Sequence, residues 1–178
     1  MKKIKRILLI GGPGSGKTSI IKSIENVGYQ VHHEISRLVT KRAQEKGIEQ
    51  LFLKDPMAFS NELLKGRIDQ YKEATTGVHF YDRGIPDVPA YHKFTGDEIP
   101  ESYEQASNQY RYDSVFFLPP WEEIYESDNE RYESFDQAVT IGSILLKYYK
   151  DLDYDVHEVP RASVEERLEF ILNAAAID

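Results

Sequence analysis

The chain has 178 residues, 40% hydrophobic and 29% charged, with a net charge of −8 at pH 7 and no cysteine. That balance is ordinary for a single globular α/β domain, and the acidic excess argues against a surface that coats nucleic acid or an anionic membrane, which needs clustered Lys and Arg. The lack of cysteine excludes a disulfide, a thiolate zinc site and a cysteine nucleophile and fits a cytoplasmic setting, and no apolar run approaches the roughly 18 residues of a membrane span.

The basic start Lys2-Lys3-Ile4-Lys5-Arg6 resembles the positive end of a signal peptide, but the apolar run behind it, Ile7-Leu8-Leu9-Ile10, is too short for one and reads as the end of a first strand. This strand leads into Gly11-Gly12-Pro13-Gly14-Ser15-Gly16-Lys17-Thr18, which fits G-x-x-x-x-G-K-[ST], the phosphate-binding P-loop. Glycines let the backbone wrap an anion so that successive N–H groups and a helix N-terminus point at it. Lys17 then reaches the β- and γ-phosphates, and the Thr18 hydroxyl is placed for Mg²⁺. Ser19 opens the helical pattern Ser19-Ile20-Ile21-Lys22-Ser23-Ile24 and completes the nucleotide-binding candidates.

The first helix is expected from Gly16 to Asn26, stopped at Gly28, and a second strand over Tyr29–Glu34. Ile35, Leu38, Val39 and Ala43 recur at helical spacing, and Asp55-Pro56 reads as the cap and first position of a third helix burying Phe59, Leu63, Leu64, Ile68 and Tyr71. Val78-His79-Phe80-Tyr81 is a third strand closed by Asp82-Arg83-Gly84. Residues 85–112 mix Pro86, Pro89 and Gly96 with short helical pieces and read as an insertion over the active face. Ser114–Leu118 is a fourth strand ended by Pro119-Pro120. The polar tract 125–133 reads as a lid-like loop. Ser134 with Gln137, and Ser163 with Glu166, are capping boxes for the last two helices, with strand five from Tyr154 to Val159 between them. This alternation argues for a parallel sheet covered on both faces, in one nucleotide-binding domain over 1–178.

Within a P-loop fold the other strand ends choose the chemistry. Asp82 emerges at the end of a buried strand, where an acid holds Mg²⁺, and Arg83 beside it can clamp a phosphate or fix an acceptor. Glu34 ends strand two, where a carboxylate can take the proton of an attacking hydroxyl, or simply start a helix with Arg37 as its partner. Arg131, in the polar tract, can swing over a triphosphate. Adjacent His32 and His33 point to opposite faces of a strand and share one metal ion poorly. Asp87, Tyr91 and His92 are candidates for lining an acceptor pocket, Trp121 for a packing anchor, and Pro160–Ser163 for an adenine contact.

The P-loop, Glu34 with Arg37, Tyr81-Asp82-Arg83-Gly84-Ile85-Pro86-Asp87, Phe117-Leu118-Pro119-Pro120-Trp121 and Asp128-Asn129-Glu130-Arg131 together resemble the NadR-like AAA-domain family of P-loop ATPases and kinases, over nearly the whole chain. The resemblance implies a P-loop three-layer sandwich, with a five-stranded parallel sheet in the order 2-3-1-4-5, an Mg-ATP donor and a lid before the penultimate helix. By similarity to nicotinamide riboside and deoxynucleoside kinases, Glu34 and the Asp82-Arg83 pair would face the acceptor and Arg131 would be the lid arginine. The expected function is a small-molecule kinase passing the ATP γ-phosphoryl to a hydroxyl of a nucleoside-like or other small metabolite. Lys17, Glu34, Asp82, Arg83 and Arg131 are its catalytic candidates, and Thr18 and Asp82 its metal ligands. The alternative is an ATPase or nucleotide switch whose 85–112 insertion binds a protein partner. The acceptor, the oligomeric state and the choice of Glu34 or Asp82 as base stay open at this level.

Overall fold

The computed structural model describes residues 3–125 and 133–177. Its strands are β1 (Lys5–Ile10), β2 (Gln30–His32), β3 (Val78–Asp82), β4 (Ser114–Phe117) and β5 (Val156–Glu158). They form one parallel sheet in the order β2-β3-β1-β4-β5, as the resemblance implies. The helices are α1 (Lys17–Asn26), α2 (Ser36–Glu45), α3 (Leu51–Lys54), α4 (Pro56–Glu73), α5 (Asp87–Thr95), α6 (Glu101–Gln109), α7 (Phe135–Asp151) and α8 (Val164–Ala174).

Alternation along the strands sorts the core into two layers. Leu8, Ile10, Tyr81, Val115 and Phe117 face Ala90 of α5 and Ile141, Leu145 and Tyr149 of α7. Ile7, Leu9, Phe80 and Phe116 face Ile20, Ile21 and Ile24 of α1 and Ile171 of α8. β1 is paired on both sides and covered on both faces, so its last four residues are fully buried. This rigid centre fixes the chain where it leaves Ile10 for the P-loop and where it leaves Asp82, which lies beside Leu9 in register.

Both expected capping boxes are present, Ser134 with Gln137 ahead of α7 and Ser163 with Glu166 ahead of α8. Asp55 caps α4, with its side chain accepting from the Ala58 N–H at 2.9 Å and Pro56 in the first turn. Some boundaries differ from the sequence reading. The edge strands β2 and β5 are shorter than expected: beyond His32 the chain turns His33 out to Glu25, and past Glu158 a single bond from the Val159 N–H to the Phe117 carbonyl prolongs the ladder. The insertion 85–112 is mostly ordered helix, and α5 and α6 send Val88 and Tyr103 into a third cluster with Val39 and Leu63. Among the described residues, no helix is long and apolar enough to cross a membrane.

Candidate active site

The carboxyl ends of β1, β2 and β3 bring the sequence candidates together. At the end of β1, Gly16 adopts φ +86° ahead of α1, a left-handed conformation that favours glycine. Helix α1 has no side-chain cap and no acidic residue in its first turn, so its first N–H groups are left for an anion. Lys17 is buried, and its ammonium donates to the carbonyls of Gly11 at 2.9 Å and Gly12 at 3.1 Å and to the Ser15 hydroxyl at 3.3 Å. Burial lowers its pKa to about 8; Arg83 adds to the shift, while Asp82, Asp87 and Glu34 oppose it. Thr18 and Ser19 are exposed on the open side of the loop.

Asp82 ends β3 and is buried, and its Oδ1 has no hydrogen-bond partner. Burial pushes this carboxyl above the ordinary range against the pull of Lys17 and Arg83. A buried, unpartnered carboxylate oxygen beside a P-loop is chemically suited to a hard cation or its bound water. The residues present therefore fit Mg²⁺, with Asp82 and the Thr18 hydroxyl as the oxygen donors.

Arg83 follows with φ +73°, a backbone state that costs a non-glycine residue about 1–3 kcal/mol and persists only where its surroundings impose it. Its Nε lies 2.6 Å from Oε2 of Glu34, and Nη2 of Arg67, from α4, lies 3.5 Å from Oε1 of the same carboxylate. The Ser36 N–H also donates to Glu34, at 2.7 Å. Burial alone would raise the Glu34 pKa, but Arg83, Arg67 and the Ser36 amide outweigh it and bring it down to about 2. The same contacts keep Arg83 charged: burial disfavours its cation, and Glu34, Asp87 and Asp82 more than compensate. Glu34 thus accepts from the first residue of α2, as a helix-start carboxylate does, and holds two arginines as well.

The acid-arginine turn is tightly walled. A Cβ on Gly84 would sit 2.7 Å from Cδ2 of Leu8 and 2.8 Å from the Tyr149 hydroxyl. Gly84→Ala should therefore cost about 1–3 kcal/mol through overpacking, read as a lower denaturant midpoint at unchanged slope.

Asp87 is buried at the start of α5. Tyr91, one turn on, donates to Oε1 of Glu133 at 2.8 Å, so it bridges to the last residue of the polar tract. His92 is occupied internally, between the Ser60 hydroxyl at 2.8 Å and the Glu98 carbonyl at 2.7 Å. His32 stacks on Tyr81 while His33 turns to Glu25, so the two imidazoles do face apart. Arg131 lies outside the described residues. Trp121, Pro160 and Arg161 line a small cavity with Ser15 and Arg167. The Arg167 guanidinium lies over the Trp121 ring and against Gly16.

Sequence reading missed Arg67 and Arg167. Each sits on the buried row of its helix, Arg67 with Leu63 and Arg167 with Ile171, and an arginine inside an apolar row is the signal that could have revealed it.

Comparison with known proteins places these features in context. A family model described as an AAA domain matches residues 6–167. Deoxyadenosine kinase from M. mycoides with bound dATP superposes with a TM-score of 0.64 at 17% identity, covering 97% of this chain and 99% of the other. The same enzyme with products dCMP and dCDP gives 0.69 at 18% identity, covering 96% and 98%. NadR in complex with NR gives 0.69 at 15% identity, covering 98% of this chain but 52% of NadR. No curated protein sequence matches the chain.

Proposed function

The chain belongs to the AAA-domain family, and on that premise we propose that it is an Mg-ATP-dependent small-molecule kinase, transferring the γ-phosphoryl to a hydroxyl of a nucleoside-like metabolite. The observation that carries this reading is the convergence of Lys17, Asp82, Arg83 and Glu34 at the ends of three adjacent parallel strands. Support comes also from the P-loop kinase fold shared with deoxyadenosine kinase and with NadR. The 85–112 segment, the partner-binding element of the competing switch reading, spends much of its apolar surface on the core, which favours the kinase.

Phosphoryl transfer asks a protein mainly for positioning and charge neutralisation. The P-loop amides and the start of α1 receive the phosphates, and Lys17 leaves its loop carbonyls to hold the β- and γ-oxygens. Bound Mg²⁺ would supply further neutralisation of those oxygens, with Thr18 and Asp82 as its holders. Asp82 would thus be engaged as a holder of the ion, and Glu34 is the carboxylate we assign to accept the hydroxyl's proton. A carboxylate with a pKa of about 2 is a weak base, but in a largely dissociative transfer the proton leaves late and orientation matters more than basicity. Arg83, anchored on Glu34, would bridge acceptor and phosphate, and Arg131 would close over the donor.

The test is incubation with Mg-ATP and a panel of nucleosides and small polyols, read by mass spectrometry for a product heavier by one phosphoryl group. A product from one compound class supports the reading; none across the panel counts against it.

The lowered Lys17 pKa gives a pH signature. Its charged form is the one that binds phosphate, and above about 8 the free protein loses that charge. Nucleotide affinity should be flat below this value and fall about tenfold per pH unit above it. Binding at about pH 9 should accordingly take up close to one proton, measurable by calorimetry in buffers of different ionisation heat.

A further inference from the structure

The turn that carries Asp82 and Arg83 is held by a pair of buried side chains, Asp87 and Tyr149. Each backbone N–H from Arg83 to Ile85 has its own acceptor. The Arg83 N–H donates to the Leu9 carbonyl at 3.1 Å, the Gly84 N–H to Oδ2 of Asp87 at 2.9 Å, and the Ile85 N–H to the Tyr112 hydroxyl at 3.2 Å. The Gly84 carbonyl accepts from Nη1 of Arg67 at 3.1 Å. The oxygen of Asp87 that takes the Gly84 N–H also accepts the Tyr149 hydroxyl at 2.5 Å.

Tyr149 is fully buried, on an α7 face whose other buried positions include Ala138, Ile141 and Leu145. A phenylalanine would fill the same volume, so packing leaves the hydroxyl unexplained; its partner is Asp87. Asp87 in turn is buried with Oδ1 free of hydrogen bonds, so its bonding is concentrated on the oxygen that fixes Gly84. Its negative charge also favours the charged forms of Lys17 and Arg83. A buried carboxylate kept on one amide and one hydroxyl, directly behind a residue in left-handed backbone, is what an imposed conformation requires.

We propose that Asp87 and Tyr149 are positioning residues: Tyr149 orients the Asp87 carboxylate, Asp87 clamps the Gly84 amide, and the clamped turn holds Arg83 at φ +73° with its Nε on Glu34. Helix α7 thereby sets the geometry of the acid-arginine turn through Asp87. The consequence for turnover rests on the kinase reading; the consequence for Arg83 does not.

The experiment uses the full chain, isotope-labelled, as wild type, Tyr149→Phe and Asp87→Asn. In the wild type the Arg83 Nε–H, ion-paired with Glu34 at 2.6 Å, should exchange more slowly with water than that of an exposed arginine. In Tyr149→Phe, with a dispersed amide spectrum showing an intact fold, that exchange should quicken about tenfold or more, and the Gly84 amide proton should move upfield. Turnover with an acceptor should fall about tenfold in kcat, with the KM for ATP within about twofold of wild type. Unchanged Arg83 exchange and an unchanged Gly84 shift in folded Tyr149→Phe would overturn the proposal, even if turnover fell. Should Asp87→Asn fail to fold, Tyr149→Phe alone decides. A wild type without acceptor-stimulated turnover would sink the kinase reading, while the Arg83 resonance would still decide the role of Asp87 and Tyr149.

Discussion

Lys17→Ala should lower ATP turnover by about 10³-fold. The ammonium is one buried cation at the centre of the phosphate loop, and removing a preorganised charge or donor from a developing anion costs about 3–4 kcal/mol. The fold should survive. Lys17 is buried at a desolvation cost large enough to bring its pKa down to about 8, so its loss removes a strained charge along with its hydrogen bonds to Gly11, Gly12 and Ser15. The check is steady-state ADP formation beside a thermal melt. A variant that melts near wild type yet turns over at the wild-type rate would remove the P-loop from the chemistry.

Glu34→Gln should lower acceptor-dependent kcat by about 10²–10⁴-fold with little change in ATP affinity, because a general base contributes about that much and the bonds of Glu34 run to Ser36, Arg67 and Arg83. It should also destabilise the protein. The neutral amide removes the counter-charge shared by buried Arg67 and half-buried Arg83; breaking a fully buried group from one side costs about 3–5 kcal/mol, and the loss here should fall below that range. The sign of the pH dependence follows from the shift. Glu34 is depressed from 4.5 unfolded to about 2 folded, so its contribution is fully present above the unfolded value and is lost as pH falls toward the folded one. The stability gap between wild type and Glu34→Gln should be constant near neutrality and close between about pH 4.5 and 2. Denaturant titrations at stepped pH measure it, and a gap that widens in acid would contradict the assignment. Glu34→Asp, which keeps the charge, should recover part of the stability and less of the rate.

The strands and the P-loop were legible because each rests on short-range rules: apolar runs in β1, β3 and β4 that end near glycine or proline, and a spacing of glycines with Lys17 and Thr18; the strand order, a matter of long-range pairing, came only from the family resemblance. The two capping boxes were legible for the same reason, since Ser134 and Ser163 bond within their own first turns. The candidate site was legible only as a set of strand ends. Glu34 and Arg83 meet across 48 residues of intervening chain, and no local pattern distinguishes a carboxylate paired with Arg37 from one paired with Arg83. Arg67 was hidden because helix α4 was read for its apolar positions, and the stripe Ser60, Leu63, Arg67 mixes polarity. In the insertion the short helical pieces were legible but not their bounds: Pro86 and Pro89 sit at the N-cap and within the first turn of α5, where a missing N–H costs little.

One measurement bears most directly on the whole account: the balance of products when Mg-ATP is consumed with an active acceptor present. Phosphoryl transfer to a hydroxyl predicts one phosphorylated acceptor per ADP and almost no inorganic phosphate, with both products lost in Lys17→Ala. ADP matched by inorganic phosphate, at a rate the acceptors do not change, would contradict the kinase assignment and leave an ATPase.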